Sequence, residues 1–341
     1  MNKTRKIRVL VVDDSLVSRE FIARGINADP DLEVVAKAGD PFEARDKIIE
    51  FNPDVMTCDI QMPKMDGIEF IRRLLPQYPL PVVVVSSVSN AVFDALNAGA
   101  VEFVAKPENN ESIDIFISKL VKKIKIASKA KLSNNKVFSE KKLTASSVKS
   151  KIHKIDMIAM GASTGGTEAL YYVIKSLPID IPGIVVVQHI PPLFSKMFAD
   201  RLNAQTGFQV KEAQNGDFIE NGCVYIAPGQ QNIKVKKLGG KYTITYYSGP
   251  SKSRHVPSVD VLFESVAQAA GNKAIGVILT GMGSDGSRGL LMMKSKGSKT
   301  IGQDEESSVV YGMPKVAYEI GAVEKRTSLQ NIPNTILKML G

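Results

Sequence analysis

Asp13 and Asp14 follow the apolar run 9–12, and Asp59 follows a second apolar stretch that ends at Cys58. Strand ends that deliver acids to one edge of a sheet make a small pocket lined with oxygens. Three carboxylates in one place repel each other unless a hard cation such as Mg2+ sits among them. Ser86 closes the run 81–85 and Lys106 closes the run 101–105, which adds a hydroxyl and an ammonium to the acids. Open α/β sheets carry their sites at the C-terminal ends of parallel strands. Carboxylates, hydroxyl and ammonium together suit the capture of a phosphoryl group on an aspartate. Singly they are ordinary: an aspartate after a strand caps a turn or helix, and one lysine is a solvated lysine.

A second set lies downstream. Ser163 sits in Gly161-Ala162-Ser163-Thr164-Gly165-Gly166, His189 follows the run 184–187 through Gln188, and Asp285 sits in Thr280-Gly281-Met282-Gly283-Ser284-Asp285-Gly286 after the run 274–279. Serine attacks poorly until an adjacent imidazole takes its proton, and the imidazole needs a carboxylate to fix its tautomer. A serine, a histidine and an aspartate on three strand tips are therefore the set for acyl transfer. The turn around Ser163 leaves alternatives open. It satisfies the G-x-S-x-G nucleophile elbow, and a glycine-rich strand-to-helix turn equally serves phosphates or dinucleotides. No G-x-x-x-x-G-K-[ST] is present, however, and the turn 161–166 is not G-x-G-x-x-G. Of the three histidines, His153 reads as a solvated linker residue and His255 as a loop residue able to contact substrate; only His189 follows a buried strand. Asp260 reads as a helix cap and Asp217 as a turn residue. Asp285 lies between glycines, where backbone can approach a substrate closely.

The elements that position these residues are legible as strand and helix periods. Residues 7–125 alternate apolar strands, expected near 7–12, 33–37, 54–58, 81–86 and 101–104, with amphipathic segments, the pattern of a parallel sheet covered on both faces. Ile113, Ile117, Leu120, Val121 and Ile124 predict the core stripe of a last helix. A second α/β unit starts near 153, with buried strands at 155–160, 184–187 and 274–279 and a helix from about Glu168. Residues 242–247, after Gly239-Gly240, predict a hairpin on the edge of that sheet. The fold class is α/β, with two doubly wound parallel-sheet domains: 1–125, then a lysine-rich flexible linker at 126–152, then 153–341.

The chain has 341 residues and a formal net charge of +9. Residues 119–154 hold twelve lysines against Glu140 alone, +11, which leaves −2 for everything else. The basicity thus belongs to one segment and does not describe a nucleic-acid-binding domain; attraction to an anionic membrane surface or an acidic partner stays open. No apolar run approaches the roughly 20 residues that span a bilayer, and the N-terminus has no signal-like core. Cys58 and Cys223 lack metal spacing and read as reduced core thiols. These features predict a cytoplasmic protein without membrane insertion.

Asp13-Asp14, Asp59, Met62-Pro63-Lys64-Met65-Asp66-Gly67, Ser86 and Lys106-Pro107 fall in the order and spacing of response-regulator receiver domains, which the N-terminal part resembles. The resemblance implies a flavodoxin-like fold with Asp59 as phosphoacceptor, Asp13, Asp14 and Asp59 around Mg2+, Lys106 as the phosphoryl-side cation, and Ser86 and Phe103 as switch residues. The second part is similar to the catalytic domain of chemotaxis protein-glutamate methylesterases. The matching stretches are 158–168, Gln188-His189-Ile190-Pro191-Pro192, Ile226-Ala227-Pro228-Gly229, Arg254-His255-Val256-Pro257-Ser258-Val259-Asp260 and 279–286.

That second resemblance implies a Rossmann-like serine hydrolase with Ser163 as nucleophile, His189 as general base, Asp285 as orienting acid and the Met282 N–H in the oxyanion hole. No cofactor is implied for the ester chemistry. It further implies methylated chemoreceptors as substrates, a chemotaxis histidine kinase as phosphodonor, a monomer, and a resting receiver that lies across the catalytic cleft until phosphorylated. Three rivals differ in class. A DNA-binding regulator would need a helix-turn-helix module after residue 152, where glycine loops and strands stand instead. A receiver with a degenerate, binding-only partner domain would not need all three triad residue types. A related hydrolase acting on another ester is separated only by the family resemblance.

Overall fold

The computed structural model describes residues 5–87, 91–107, 112–132, 154–249 and 255–341. The chain divides into two units, Met1–Lys136 and Val137–Gly341. His153 and residues 133–152, the larger part of the expected linker, lie outside the described residues.

In the first unit the chain runs β1 (Ile7–Val12), α1 (Leu16–Asn27), β2 (Leu32–Ala38), α2 (Pro41–Phe51), β3 (Val55–Asp59), α3 (Gly67–Leu74), β4 (Val82–Ser86), α4 (Ala91–Asn97), β5 (Glu102–Ala105) and α5 (Ile113–Ala127). The strands pair in parallel in the order β2-β1-β3-β4-β5. β3 and β4 are buried throughout, which is why they read as continuous apolar runs. The switch in strand order between β1 and β3 opens a crevice at their C-terminal ends. On α5 the buried residues are Phe116, Leu120, Ile124 and Ala127. The expected stripe is therefore rotated: Ile113, in the first turn, is exposed. The helix also reaches two residues past 125, and Lys123 and Lys125 on it pair with Glu102 and with Asp29 and Asp31. Part of the basic segment is thus a neutralised helix face.

The second unit runs β6 (Met157–Ala162), α6 (Gly166–Lys175), β7 (Ile184–Gln188), α7 (Pro192–Gln205), β8 (Gln209–Glu212), β9 (Cys223–Ile226), β10 (Asn232–Leu238), β11 (Lys241–Tyr247), α8 (Val259–Ala270), β12 (Ala274–Ile278), α9 (Ser287–Ser295), β13 (Lys299–Gln303), α10 (Met313–Glu319), β14 (Lys325–Thr327) and α11 (Ile332–Leu340). Seven parallel strands lie in the order β14-β13-β12-β6-β7-β9-β8. β6, β7 and β12 are central neighbours, so the tips bearing Ser163, His189 and Asp285 meet at one sheet edge. β10 and β11 correct one expectation. They pair antiparallel as a separate two-stranded sheet and do not extend the large one. Their apolar residues Ile233, Val235 and Ile244 join the core that also holds Leu262 and Val266 of α8, while β8 takes the edge. The cysteines are buried and free.

Candidate active site

The acids of the first unit converge as their strand ends predict. Carboxylate oxygens of Asp13, Asp14 and Asp59 lie within 4.8 Å of one another, with Asp13 and Asp59 buried and Asp14 exposed. Lys106 Nζ reaches both buried acids, 2.5 Å from Asp59 Oδ2 and 3.1 Å from Asp13 Oδ2. Burial pushes the Asp59 carboxyl above its ordinary range despite that contact, and the neighbouring Asp13 charge adds to the rise. For Lys106, burial works downward, but Asp59 and Asp13 outweigh it and raise the ammonium's pKa. Three oxygen donors with excess negative charge fit a hard divalent cation.

Ser86 is buried at the end of β4, and its carbonyl accepts from the Lys106 N–H at 2.7 Å. Phe103 is buried on β5 opposite Val84. Two contributors had no sequence signal. Ser18 Oγ donates to Asp13 Oδ2 at 2.7 Å, and Lys64, in a left-handed backbone conformation, pairs with Asp40 at 2.6 Å.

In the second unit each tip is pinned by its neighbours. The Ser163 N–H donates to the Thr280 carbonyl at 3.0 Å, and the Ser163 carbonyl accepts from Gly166 N at 2.7 Å and Gln188 Nε2 at 2.8 Å. A Cβ on Gly166 would come within 2.2 Å of Gln188 Oε1 and 2.6 Å of Ala162 Cβ, so the turn demands glycine there. The His189 N–H donates to Ala162 O at 3.1 Å. Thr280 Oγ1 donates to Thr164 O at 3.0 Å and ties the serine turn to the loop after β12.

His189 Nε2 lies 2.8 Å from Asp285 Oδ2, with Asp285 buried and His189 partly exposed. Asp285 also accepts from Ser258 Oγ at 2.9 Å and from the backbone N–H groups of Val259 and Asp260 at 2.8 and 3.2 Å. These last donors are the first turn of α8, whose positive dipole end faces the carboxylate. Burial alone would raise the Asp285 pKa; the His189 contact and the two amides overcome it and hold the carboxyl near about 2. A charged Asp285 accepts the Nε2 proton and leaves Nδ1 as the imidazole's lone-pair atom. Nδ1 is buried and makes no hydrogen bond.

Close approach brings the Gly281 backbone against the serine: a Cβ on Gly281 would come within 2.7 Å of Ser163 Cβ. Gly281 spends its own N–H on Val310 O, whereas no backbone carbonyl among the described residues takes up the Met282 N–H. His255 stacks on His189, ring centroids 4.3 Å apart and 15° from parallel. Its observed neighbour is thus the imidazole itself. Asp260 is not the cap of α8; Ser258 is, and Asp260 accepts instead from Gly289 N at 2.8 Å.

Residues 158–336 match the family model of the CheB methylesterase, and residues 9–118 match that of the response regulator receiver domain. The chain is 54% identical over 340 residues to protein-glutamate methylesterase/protein-glutamine glutaminase 2 of Syntrophomonas wolfei, covering 99% of each. It is 44% identical to the protein of that name in Escherichia coli, over 97% of this chain and 96% of the relative. The crystal structure of the Thermotoga maritima CheB methylesterase catalytic domain superposes with a TM-score of 0.53 at 36% identity, covering 54% of this chain and 98% of that one.

Proposed function

The chain belongs to the CheB methylesterase family, with a receiver ahead of the catalytic unit, and on that premise we propose how its residues divide the work. It is a phosphorylation-controlled hydrolase of chemotaxis that demethylates glutamate methyl esters, and deamidates glutamines, on chemoreceptors. The observation that carries the triad assignment is the Asp285 carboxylate, held by four donors, that fixes Nε2–H of His189 and leaves Nδ1 unpartnered.

Ser163 Oγ attacks the ester carbonyl carbon as His189 Nδ1 takes the hydroxyl proton. The carbonyl oxygen becomes an oxyanion that the Met282 N–H stabilises, a contribution of roughly 10²–10³ in rate for such a donor. Collapse breaks the C–O bond, and the proton on His189 leaves with methanol. Water, deprotonated by the same Nδ1, then attacks the acyl-enzyme; the acyl C–Oγ bond breaks, the proton on Nδ1 returns to Ser163 Oγ and glutamate leaves, while with glutamine the first leaving group is ammonia. Asp285 stays ionised throughout and stabilises the imidazolium.

In the receiver, Asp59 accepts the phosphoryl group from a chemotaxis histidine kinase. Asp13, Asp14 and Asp59 would hold Mg2+, which when bound would supply positive charge to offset that of the phosphoryl oxygens. Lys106 faces the incoming oxygens, and Ser86 and Phe103 transmit the change. Residues 1–125 and 153–341 act as the two domains, with 126–152 between them. The protein works as a cytoplasmic monomer; no described helix is long and apolar enough to cross a membrane.

The test is methanol release from methylated receptor membranes. Wild type should release it, more with a small phosphodonor and Mg2+. Ser163→Ala should release none, and Asp59→Asn should keep the basal rate without the rise. Silence from wild type under every condition would refute the reading.

A further inference from the structure

We propose that the β10–β11 hairpin is the arm by which the catalytic unit holds the acidic receptor segment it works on, and that it holds the product more tightly than the substrate. The inference rests on the receptor-esterase reading above and adds to it the recognition surface.

Residues 232–247 contain Lys234, Lys236, Lys237 and Lys241 and no acid. Several cations elsewhere in this unit are neutralised by acids: Lys196 pairs with Asp200, Arg201 with Glu168, Lys211 with Asp217, Lys299 with Glu324. Among the described residues none of the four hairpin lysines enters a salt bridge. Three of them lie over aromatic rings instead: Lys234 Nζ is 3.3 Å from the Tyr247 ring centroid, Lys237 5.3 Å from Tyr242 and Lys241 5.6 Å from Phe218. A ring contact orients an ammonium without neutralising it, so the charges stay available and part of their ordering cost is already met. From Lys236 to Lys241 the hairpin is exposed on every residue, and Leu238, at 66% exposure, stands bare at the tip. Cations around an apolar tip suit an amphipathic acidic segment.

Two hydrogen bonds connect this arm to the chemistry. Asn232, at the base of β10, accepts from Ser258 N at 2.8 Å, and Ser258 Oγ donates to Asp285. The base of the hairpin therefore adjoins the triad and its exposed tip stands about 20 Å further out, a span along which an extended receptor segment can lie. The reaction decides the sign of the occupant's charge. Every turnover converts a neutral ester or amide into a carboxylate, so a hairpin of unpaired lysines binds the partner better after each hydrolysis than before it. This favours successive cuts on one receptor bundle and makes fully demethylated receptor an inhibitor.

The experiment is co-sedimentation with receptor membranes whose modification sites are fixed as Glu or as Gln, all proteins carrying Ser163→Ala so that the sites do not change. The parent should bind the Glu form more tightly, and the difference should shrink as KCl is raised. Replacing all four hairpin lysines with Gln should weaken binding to the Glu form about tenfold and remove the Glu/Gln difference. Replacing them with Arg should keep both. A control with Lys296, Lys315, Lys325 and Lys338 changed to Gln should bind like the parent. Unaltered binding by the hairpin Gln variant would overturn the proposal, as would an equal loss in the control or in the Arg variant. Equal binding to receptor-free anionic vesicles would overturn it in favour of a lipid surface. Methanol release by wild type together with such a result would sink the hairpin alone and leave the esterase reading standing.

Discussion

Ser258 does two jobs with one hydroxyl. It caps α8, accepting from Val261 N, and it donates to Asp285 Oδ1. Ser258→Ala removes a bond to a charged group, about 1.5–3 kcal/mol, together with a helix cap. We expect kcat for receptor demethylation to fall about tenfold or more with KM little changed, and Ser258→Thr to restore part of it. Asp285 also makes the catalytic unit acid-sensitive. Its carboxyl titrates near about 2 in the fold against an ordinary 3.8. The stabilisation, about 2 kcal/mol, is complete above 3.8 and is lost as pH falls toward 2. His189→Ala removes the largest of the causes that lower that carboxyl, so the variant's acid-unfolding midpoint, followed by circular dichroism, should move to higher pH. The three residues proposed as the triad were legible in the sequence because each follows a buried apolar run, and Ser163 and Asp285 also lie among glycines. Ser258 and Gln188 were not, since their partners lie 27 and 25 residues away along the chain and meet only through the fold.

At the scale of elements, close packing at strand ends decides which substitutions the sites tolerate. A Cβ on Gly67, the first residue of α3, would stand 2.1 Å from the carbonyl oxygen of Asp59. Gly67→Ala must therefore push α3 away from the β3 end that carries Asp59, the proposed phosphoacceptor. The expected cost is about 1–3 kcal/mol of receiver stability, read by urea denaturation, with slower phosphorylation by a small-molecule donor. An unchanged denaturation midpoint would refute this packing. The strands that read clearly are those buried on both faces, such as β3, β4 and β6. The hairpin was misplaced because its alternating residues resemble an edge strand. Only the fold shows that α8 covers its apolar side. The stripe on α5 was misphased because Ile113 is apolar yet exposed, and side-chain type alone does not reveal that.

Across the whole molecule the two units respond to pH with opposite sign, and a divalent cation acts on one of them alone. Asp59 has a raised carboxyl pKa, so its ionisation opposes folding: receiver stability falls as pH rises from 3.8 through the raised value. A divalent cation relieves that strain. Mg2+ at a hundred times its Kd should stabilise the receiver's thermal transition by about 2.7 kcal/mol and leave the transition of the catalytic unit in place. Asp13→Asn should remove most of the response; a shift in both transitions, or in neither, would count against the assigned pocket. The two-domain order was legible from the alternation of strands and helices. The charge distribution was legible only in part, because Lys123 and Lys125 are paired on α5. The hairpin strands pair with each other and with no strand of the seven-stranded sheet, and β11 also bonds Asp217 and Ile219 of the loop before β9. Insertions or replacements confined to its exposed tip, 236–241, leave the buried core and the seven-stranded ladder untouched. Lineages can therefore retarget this enzyme to new receptors by editing one small appendage while the chemistry is inherited intact.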